Sequence, residues 1–306
     1  MEPLSEESEP AATADASSAV PHESPERSLE HSRDEPEAES PVLHFIREHV
    51  QPRRQEFHAA RPLPDARQLL HRALADHRIT VRTLTVTGVD PYASSPEDLR
   101  EVFEFSGHVI GGYARGVTTL VSAHSRRIIA DPELLDAHLQ LMDVPTALPG
   151  AEAEGTETES AEASAEDSTP GPTEERLLLE IFVVGSRAVS ALACVPSYTD
   201  DDGELRLTTT PEVSASGWPE GALAIDVTEF IAEDLASLGV RAVNAVPGLR
   251  AAAVRLAVSD IEEEGDAVVV GISEDACLLP HHFPTLGPGR NVAGAIAEEI
   301  LAIAAL

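Results

Sequence analysis

The sequence contains no lysine, few aromatic residues and only two cysteines. All 21 basic residues are arginine, and aromatic residues make up 4% of the 306 residues. A hydrophobic core must therefore be built from Ala, Val, Leu and Ile. Cys194 and Cys277 lie far apart in the chain, which excludes a disulfide framework and the paired spacing of a cysteine metal site. We predict that both are buried free thiols.

Long apolar runs are also missing. No window approaches the ~18–20 apolar residues that cross a bilayer. The acidic N-terminus lacks the apolar stretch of a secretory signal. We therefore expect a cytoplasmic protein without a membrane segment.

Acidic residues are concentrated in two tracts and account for much of the formal net charge of −33. Residues 1–41 hold twelve acidic side chains against two arginines, and residues 145–175 hold nine with no arginine. Segments of this composition cannot bury enough apolar surface to fold. We predict a disordered acidic tail over 1–41 and a disordered linker over 151–173. Because nucleic-acid affinity depends on cationic side chains that neutralise phosphates, the charge disfavours direct binding to DNA or RNA.

The two tracts divide the remaining chain into two predicted domains, 42–150 and 174–306. The first domain is predicted to consist of N-terminal helices followed by a small α/β unit. Its expected elements are a helix from Asp65, a strand over 79–87, a helix over 94–105, strands over 108–110 and 117–122, and a helix over 131–142.

The second domain is predicted to be α+β with a mixed or antiparallel sheet. Its expected strands include the apolar run at 177–184 and a hairpin formed by 254–258 and 266–272. Its expected helices cover 226–238 and 291–306, where apolar residues recur at helical spacing.

The order of elements over residues 79–147 resembles that of a BRCT domain. The residues that carry the resemblance are Thr87-Gly88 at the end of the first strand, Ser106-Gly107 after the first helix, Val109-Ile110, the third-strand segment 118–121, and Ala137 with Val144-Pro145 at the exit. The resemblance implies a small parallel sheet flanked by helices and a role in protein docking. The family's third helix and its tryptophan have no counterpart here.

The same resemblance implies a candidate phosphate site. Phosphate-binding members use a Ser or Thr beside the first-strand glycine, which corresponds to Thr87 and Gly88. The lysine that these members carry in the second helix corresponds to about Glu133, whose carboxylate would repel a phosphate. Arg126 and Arg127 lie just upstream and could replace that lysine. Plain protein docking or a purely structural role is the preferred interpretation.

A second candidate site lies in the loop 277–294. His281 and His282 are adjacent, and neighbouring residues point in different directions on a strand or a helix, so one metal ion would rarely bind both. Gly287, Gly289 and Arg290 precede the last helix, where free backbone N–H groups can bind an anion. The preferred interpretation of each feature is structural: packed histidines, and a turn that redirects the chain.

Neither candidate site contains a nucleophile paired with a base, and we predict no catalytic residue, no metal and no cofactor. Two hypotheses follow. The preferred one is a non-catalytic adaptor in which a BRCT-like module and acidic disordered segments bind protein partners. The alternative is an enzyme or small-ligand-binding protein with its site at the loop 277–294.

Overall fold

The structure, a computed structural model, describes residues 40–59, 62–84, 100–114, 116–148, 176–201, 204–208, 218, 221–263 and 265–305. Its helices are α1 (Pro41–Phe45), α2 (Ala66–Asp76), α3 (Ala123–Ile129), α4 (Pro132–Gln140), α5 (Glu233–Asn244), α6 (Leu279–His282) and α7 (Val292–Ala304). Helix α1 continues into a π-helical turn (Ile46–Val50) and a 3₁₀ turn (Gln51–Glu56). None of the described helices is long and apolar enough to cross a membrane.

Eleven strands are described, and every pair of neighbouring strands is antiparallel. They are β1 (Thr80–Leu84), β2 (Arg100–Phe105), β3 (His108–Ala114), β4 (Val117–Thr118), β5 (Leu177–Val184), β6 (Arg187–Val195), β7 (Tyr198–Asp201), β8 (Glu204–Leu207), β9 (Leu223–Asp226), β10 (Ala251–Val258) and β11 (Val268–Ser273). The sheet orders are β1-β2-β3-β4, β11-β10-β5-β6-β9 and β7-β8. The chain is therefore α+β with antiparallel sheets.

The five-stranded sheet is covered on both faces, which explains why its central strand is apolar on both sides. On β5, residues 177, 179, 181 and 183 join the larger hydrophobic cluster, which includes α5 and the N-terminal helical turns. Phe182 and Val184 face the opposite side and pack with residues of α2 and α7. Glu180 lies on this second face and is buried in the middle of the sheet.

Local signals position the helices that cover the sheet. Helix α2 begins where the carboxylate of Asp65 accepts a hydrogen bond from the Arg67 N–H at 3.0 Å. Helix α7 begins where Oδ1 of Asn291 accepts from the Gly294 N–H at 3.0 Å. Caps of this kind satisfy N–H groups that the first turn leaves free. The expected helices at Asp65 and Asn291 are confirmed.

The four-stranded sheet corrects the BRCT interpretation. The predicted parallel sheet over 79–147 is wrong, because β1 through β4 form a consecutive antiparallel sheet. The predicted helix over 94–105 is also wrong in its described part, since residues 100–105 form β2. Residues 85–99 lie outside the described part of the chain.

The reason for the wrong helix prediction is visible on β2. Its inward side chains are Glu101 and Phe103, two residues apart, and both are buried. The apolar residues Val102, Phe103 and Phe105 fit helical spacing as well as strand alternation. Gly112 then allows β3 to lie against β2, since a Cβ there would lie 2.4 Å from the Glu101 carbonyl oxygen.

Segments from both predicted domains contribute to shared hydrophobic clusters. Leu120 and Phe103 pack in one cluster with Phe182 and Ile296. The segment around Thr146 runs parallel to β11, where the Ala147 N–H donates to the Val269 carbonyl at 2.9 Å. The expected boundary tract 151–173 lies outside the described residues, so the division into two domains stays a prediction.

Candidate active or ligand-binding site

A pocket of about 290 Å³ opens between α2, β3–β4 and the segment that follows β11. The five-stranded sheet and α7 form its floor. Its lining consists of Ala66, Arg67, Leu70, Tyr113, Gly116, Val117, Thr118, Val121, Phe182, Ala251, Glu274, Asp275, Ala276, Cys277, Leu278 and Ile296. Apolar side chains dominate this lining and charged groups lie at its rim, as is typical of small-molecule sites.

Two carboxylates lie at the end of β11. Glu274 is mostly buried and accepts a hydrogen bond from Nε of Arg126 at 3.2 Å. Asp275 is exposed, and its Oδ1 accepts from the Ser273 hydroxyl at 3.0 Å. Asp275 therefore presents a negative charge at the rim of the pocket.

A second charged group stands on the opposite wall, where α2 meets β2. Arg67 donates to Oε1 of Glu101, and Nε2 of His71 lies 2.8 Å from Oε2 of the same carboxylate. The Glu101 side chain is 2% exposed. Burial raises the pKa of this carboxyl, but the hydrogen bonds from Arg67 and His71 outweigh burial and lower it overall. Glu101 is therefore ionised and neutralises Arg67.

The sheet behind the pocket contains a buried polar network around His281. Nδ1 of His281 lies 2.8 Å from the Ser190 hydroxyl, and Nε2 lies 3.2 Å from Oε1 of Glu180. Nε of Arg255 donates to the other oxygen of Glu180 at 3.0 Å. Phe182 packs edge-on against the His281 ring at 5.3 Å between centroids. The network joins α6 to strands β5, β6 and β10.

Cys194 lies close to this network and is buried. Burial raises the pKa of its thiol to about 12, with a further contribution from the charge of Glu180. A thiol in this environment is neutral and is a poor nucleophile. Cys277 is partly exposed and lines the pocket described above.

The glycine-rich loop before α7 is held by Arg290. Its guanidinium donates to both oxygens of the buried Asp226, with Nη2 to Oδ2 at 2.6 Å, and its Nη1 donates to Glu229 at 3.0 Å. Gly287 adopts a φ of +94°, and a Cβ there would lie 2.9 Å from Cβ of Asp226. Gly289 makes a similarly close approach to the backbone of His282.

Two N–H groups at the start of α7 already donate to side chains of the protein. The Ala293 N–H donates to Nε2 of His282 at 3.1 Å, and the Gly294 N–H donates to Asn291. Burial lowers the pKa of His282, and the neighbouring His281 adds to this effect. His282 is therefore a neutral acceptor that caps the helix.

The structure places the sequence-predicted residues in different environments. His281 is in the sheet network, His282 at the α7 cap and Arg290 on Asp226, so their side chains do not form one cluster. Arg126 lies beside the pocket, where its Nε donates to the lining residue Glu274. Arg127 is exposed on α3. Thr87 and Gly88 lie outside the described residues. Within the described ranges, no three His, Cys, Asp or Glu side chains are placed to hold a metal ion.

Sequence reasoning missed Arg67, Glu101, Glu180 and Arg255. Arg67 and Glu101 are 34 positions apart, and Glu180 and Arg255 are 75 positions apart. No local pattern marks either pair. The charged residues Glu101, Glu180 and Arg255, each within an apolar segment, were the available signal, because a charged residue on a buried strand needs a partner.

No protein-family profile matches the sequence, and no curated protein matches it either. Among solved structures, the chain is similar to a bifunctional glutathione synthetase from Pasteurella multocida, with a TM-score of 0.51 and 11% identity. The similarity covers 72% of this chain and 42% of that chain, so this chain spans less than half the length of its neighbour.

Structures of the ATP-grasp ligase PsnB also match. The complex with a minimal precursor has a TM-score of 0.28 and 13% identity, over 42% of this chain and 34% of that chain. The complex with a phosphomimetic variant of the precursor, Mg and ADP has a TM-score of 0.29 and 12% identity, over 42% and 33%. TM-scores of this size do not establish a shared fold, whereas the likeness to the glutathione synthetase is one of fold.

The preferred hypothesis of a non-catalytic, BRCT-like adaptor is wrong. The likeness in fold is to part of an enzyme, and the sheet that the BRCT interpretation requires to be parallel is antiparallel. The sequence left enzymatic activity open and favoured a non-enzyme, and that preference is corrected for the same reason. Thr-Gly strand ends and aliphatic alternation occur in many small sheets, so these motifs do not distinguish a BRCT domain from other small sheets.

Proposed function

We propose that this chain is an enzyme or small-ligand-binding protein whose ligand occupies the pocket between α2 and the end of β11. The observation that carries the proposal is the pocket itself, at about 290 Å³ with an apolar floor and ionised groups at its rim. This combination provides burial for the body of a ligand and polar contacts that orient it. Cys277 and Leu278, at the start of the sequence-predicted loop 277–294, form part of its wall.

A variant that fills the pocket tests the proposal. Ala66 lines the pocket in the first turn of α2, whereas Ala75 is exposed in the last turn of the same helix. A mixed library of amines, acids, peptides and nucleotides is first screened for small molecules that the wild-type full chain binds. Ala66→Phe should abolish the binding of these molecules. Ala75→Phe adds the same side chain outside the pocket and should leave binding unchanged.

Ligand-observed NMR with the full chain provides the measurement, and thermal unfolding checks that both variants are folded. Equal binding by the wild type and a folded Ala66→Phe variant would show that the ligand lies elsewhere, and the proposal would fail.

A second candidate function is a synthetase reaction on the bound molecule. The likeness in fold to a protein named as a bifunctional glutathione synthetase favours it. We expect the full chain to release phosphate from ATP in the presence of Mg²⁺ and a small molecule that binds the pocket. Ala66→Phe should abolish this release and Ala75→Phe should retain it. Binding without phosphate release would leave ligand binding as the function.

A further inference from the structure

We infer that the ligand of this pocket is a cationic amine with an apolar body. The inference rests on the proposed function, because it describes the ligand of the same site. It follows from how the charges around the pocket are paired and from the side chains that form its floor.

Three side chains of the lining carry a charge at neutral pH: Arg67, Glu274 and Asp275. The positive charge of Arg67 is neutralised by the buried Glu101. The negative charge of Glu274 is paired with Arg126 at 3.2 Å. Among the described residues of the lining, the charge left without an ion-pair partner is that of Asp275, so the balance of these residues is negative.

Asp275 has acceptor capacity that the protein does not use. Its Oδ1 accepts one hydrogen bond from Ser273 at 3.0 Å. Within the described part of the chain, no arginine or histidine forms an ion pair with it. A protonated amine of the ligand would supply the missing cation and up to three N–H donors.

The floor determines the body of the ligand. Leu70, Phe182, Leu278 and Ile296 are all buried and contribute to one hydrophobic cluster beneath the pocket. A chain of about six carbons is favoured there because each CH₂ group that leaves water adds to the free energy of binding. Polar groups along that body would have few partners on the floor.

An anionic ligand is disfavoured by the same arrangement. A carboxylate or phosphate at the rim would face Asp275, and among the described residues of the lining the arginine, Arg67, is already paired with Glu101. The net charge of −33 over the whole chain adds long-range repulsion of anions and attraction of cations.

Three matched probes test the inference on the full chain: n-hexylamine, 1-hexanol and hexanoate. They share a six-carbon body and differ in the charge of the head group. We expect hexylamine to bind about tenfold more tightly than hexanol, which corresponds to a weak hydrogen bond to a charged group. Hexanoate should bind more weakly than hexanol. Ligand-observed NMR titrations at low salt give the three dissociation constants.

Substitution of the rim carboxylate gives the second arm. Asp275→Asn should reduce hexylamine affinity about tenfold and leave hexanol unchanged. Asp76→Asn removes an exposed carboxylate at the far end of α2 and should leave the affinity for all three probes near that of the wild type.

The outcomes separate the two proposals. If hexanoate binds as tightly as hexylamine, or Asp275→Asn leaves hexylamine binding unchanged, the cationic preference is overturned. Loss of hexanol binding in Ala66→Phe would in that case still support the pocket as the ligand site. If no probe binds the wild type, the cationic preference is also overturned, and the library measurement described above decides whether the pocket binds another class of molecule.

Discussion

Arg255 and Glu180 face each other directly across strands β10 and β5, and Nε of the arginine donates to Oε2 of the carboxylate at 3.0 Å. Both side chains are at most 6% exposed. A charge removed from water to this extent is tolerated only with its partner. A substitution that removes one member of this pair therefore leaves the other charge buried without it.

Glu180→Leu should destabilise the chain by about 3–5 kcal/mol, because the buried guanidinium of Arg255 loses the carboxylate of Glu180. The double variant Glu180→Leu/Arg255→Leu should recover much of this loss, since two apolar side chains replace both charges. Urea unfolding of the two variants and the wild type provides the free energies. A double variant no more stable than Glu180→Leu would contradict this account of the pair.

The cap of α7 should make stability depend on pH near neutrality. The pKa of His282 is lowered in the folded chain by burial and by His281, so the unfolded chain binds a proton first as pH falls. The stabilisation is complete above the unfolded value of about 6.5 and is lost as pH falls toward the lowered folded value.

His282→Gln keeps an acceptor for the Ala293 N–H but does not titrate. Between pH 7.5 and pH 5.0, the wild type should lose stability relative to this variant. Chemical unfolding at both pH values measures the difference, and His124→Gln, which replaces an exposed histidine, is the control. A constant difference between wild type and His282→Gln would refute the neutral cap.

Gly287 and Gly265 both have a positive φ and differ in the space around them, so their alanine variants can be compared. Gly287→Ala combines a left-handed backbone with a Cβ 2.9 Å from Asp226, whereas a Cβ at Gly265 has no atom within 4 Å. Gly265→Ala should cost about 1 kcal/mol from backbone strain alone. Gly287→Ala should cost at least ~2 kcal/mol, because steric strain adds to it. Thermal unfolding distinguishes the two, and equal losses would mean that the loop moves away from β9 without penalty.

Glu101→Gln should change the ligand preference of the pocket. The variant removes the charge that neutralises Arg67, so the opposite wall becomes cationic. Hexanoate affinity should rise by about tenfold and hexylamine affinity should fall. Glu104 lies on the same strand as Glu101, and its carboxylate is paired with Arg82 of β1. Glu104→Gln should leave both affinities unchanged. Unchanged affinities in a folded Glu101→Gln variant would show that Arg67 does not influence the site.

Three helix starts were predictable because their causes are local. Asp65, Asp131 and Asn291 each accept a hydrogen bond from an N–H in the first turn that follows them. The hairpin of β10 and β11 was predictable for the same reason, since the alternation over 254–258, the apolar run over 266–272 and the turn between them lie within about twenty residues.

The four-stranded sheet was not predictable from its strands alone. Residues 100–105 satisfy helical spacing and strand alternation equally well, and pairing with β1 and β3 selects the strand. The resemblance to a BRCT domain then supplied a parallel order. The direction in which two strands pair depends on contacts between them, because side chains point to alternate faces of a strand in either kind of sheet.

The candidate site was predictable only in part. Glu274, Asp275 and Cys277 lie close to the loop 277–294 that the sequence indicates, and all three line the pocket. The opposite wall comes from Arg67 and Tyr113, more than 150 positions earlier in the chain. His281, prominent in the sequence, is enclosed in the sheet by Ser190 and Glu180.

The sequence by itself determined the two acidic tracts, the aliphatic composition of the core and the starts of three helices, since each depends on neighbouring residues. Only the tertiary structure decided the antiparallel pairing of β1 to β4, the buried partner of each charged side chain and the meeting of α2 with the end of β11. These depend on contacts between residues far apart in the chain, and burial makes charge pairing obligatory only once those contacts have excluded water.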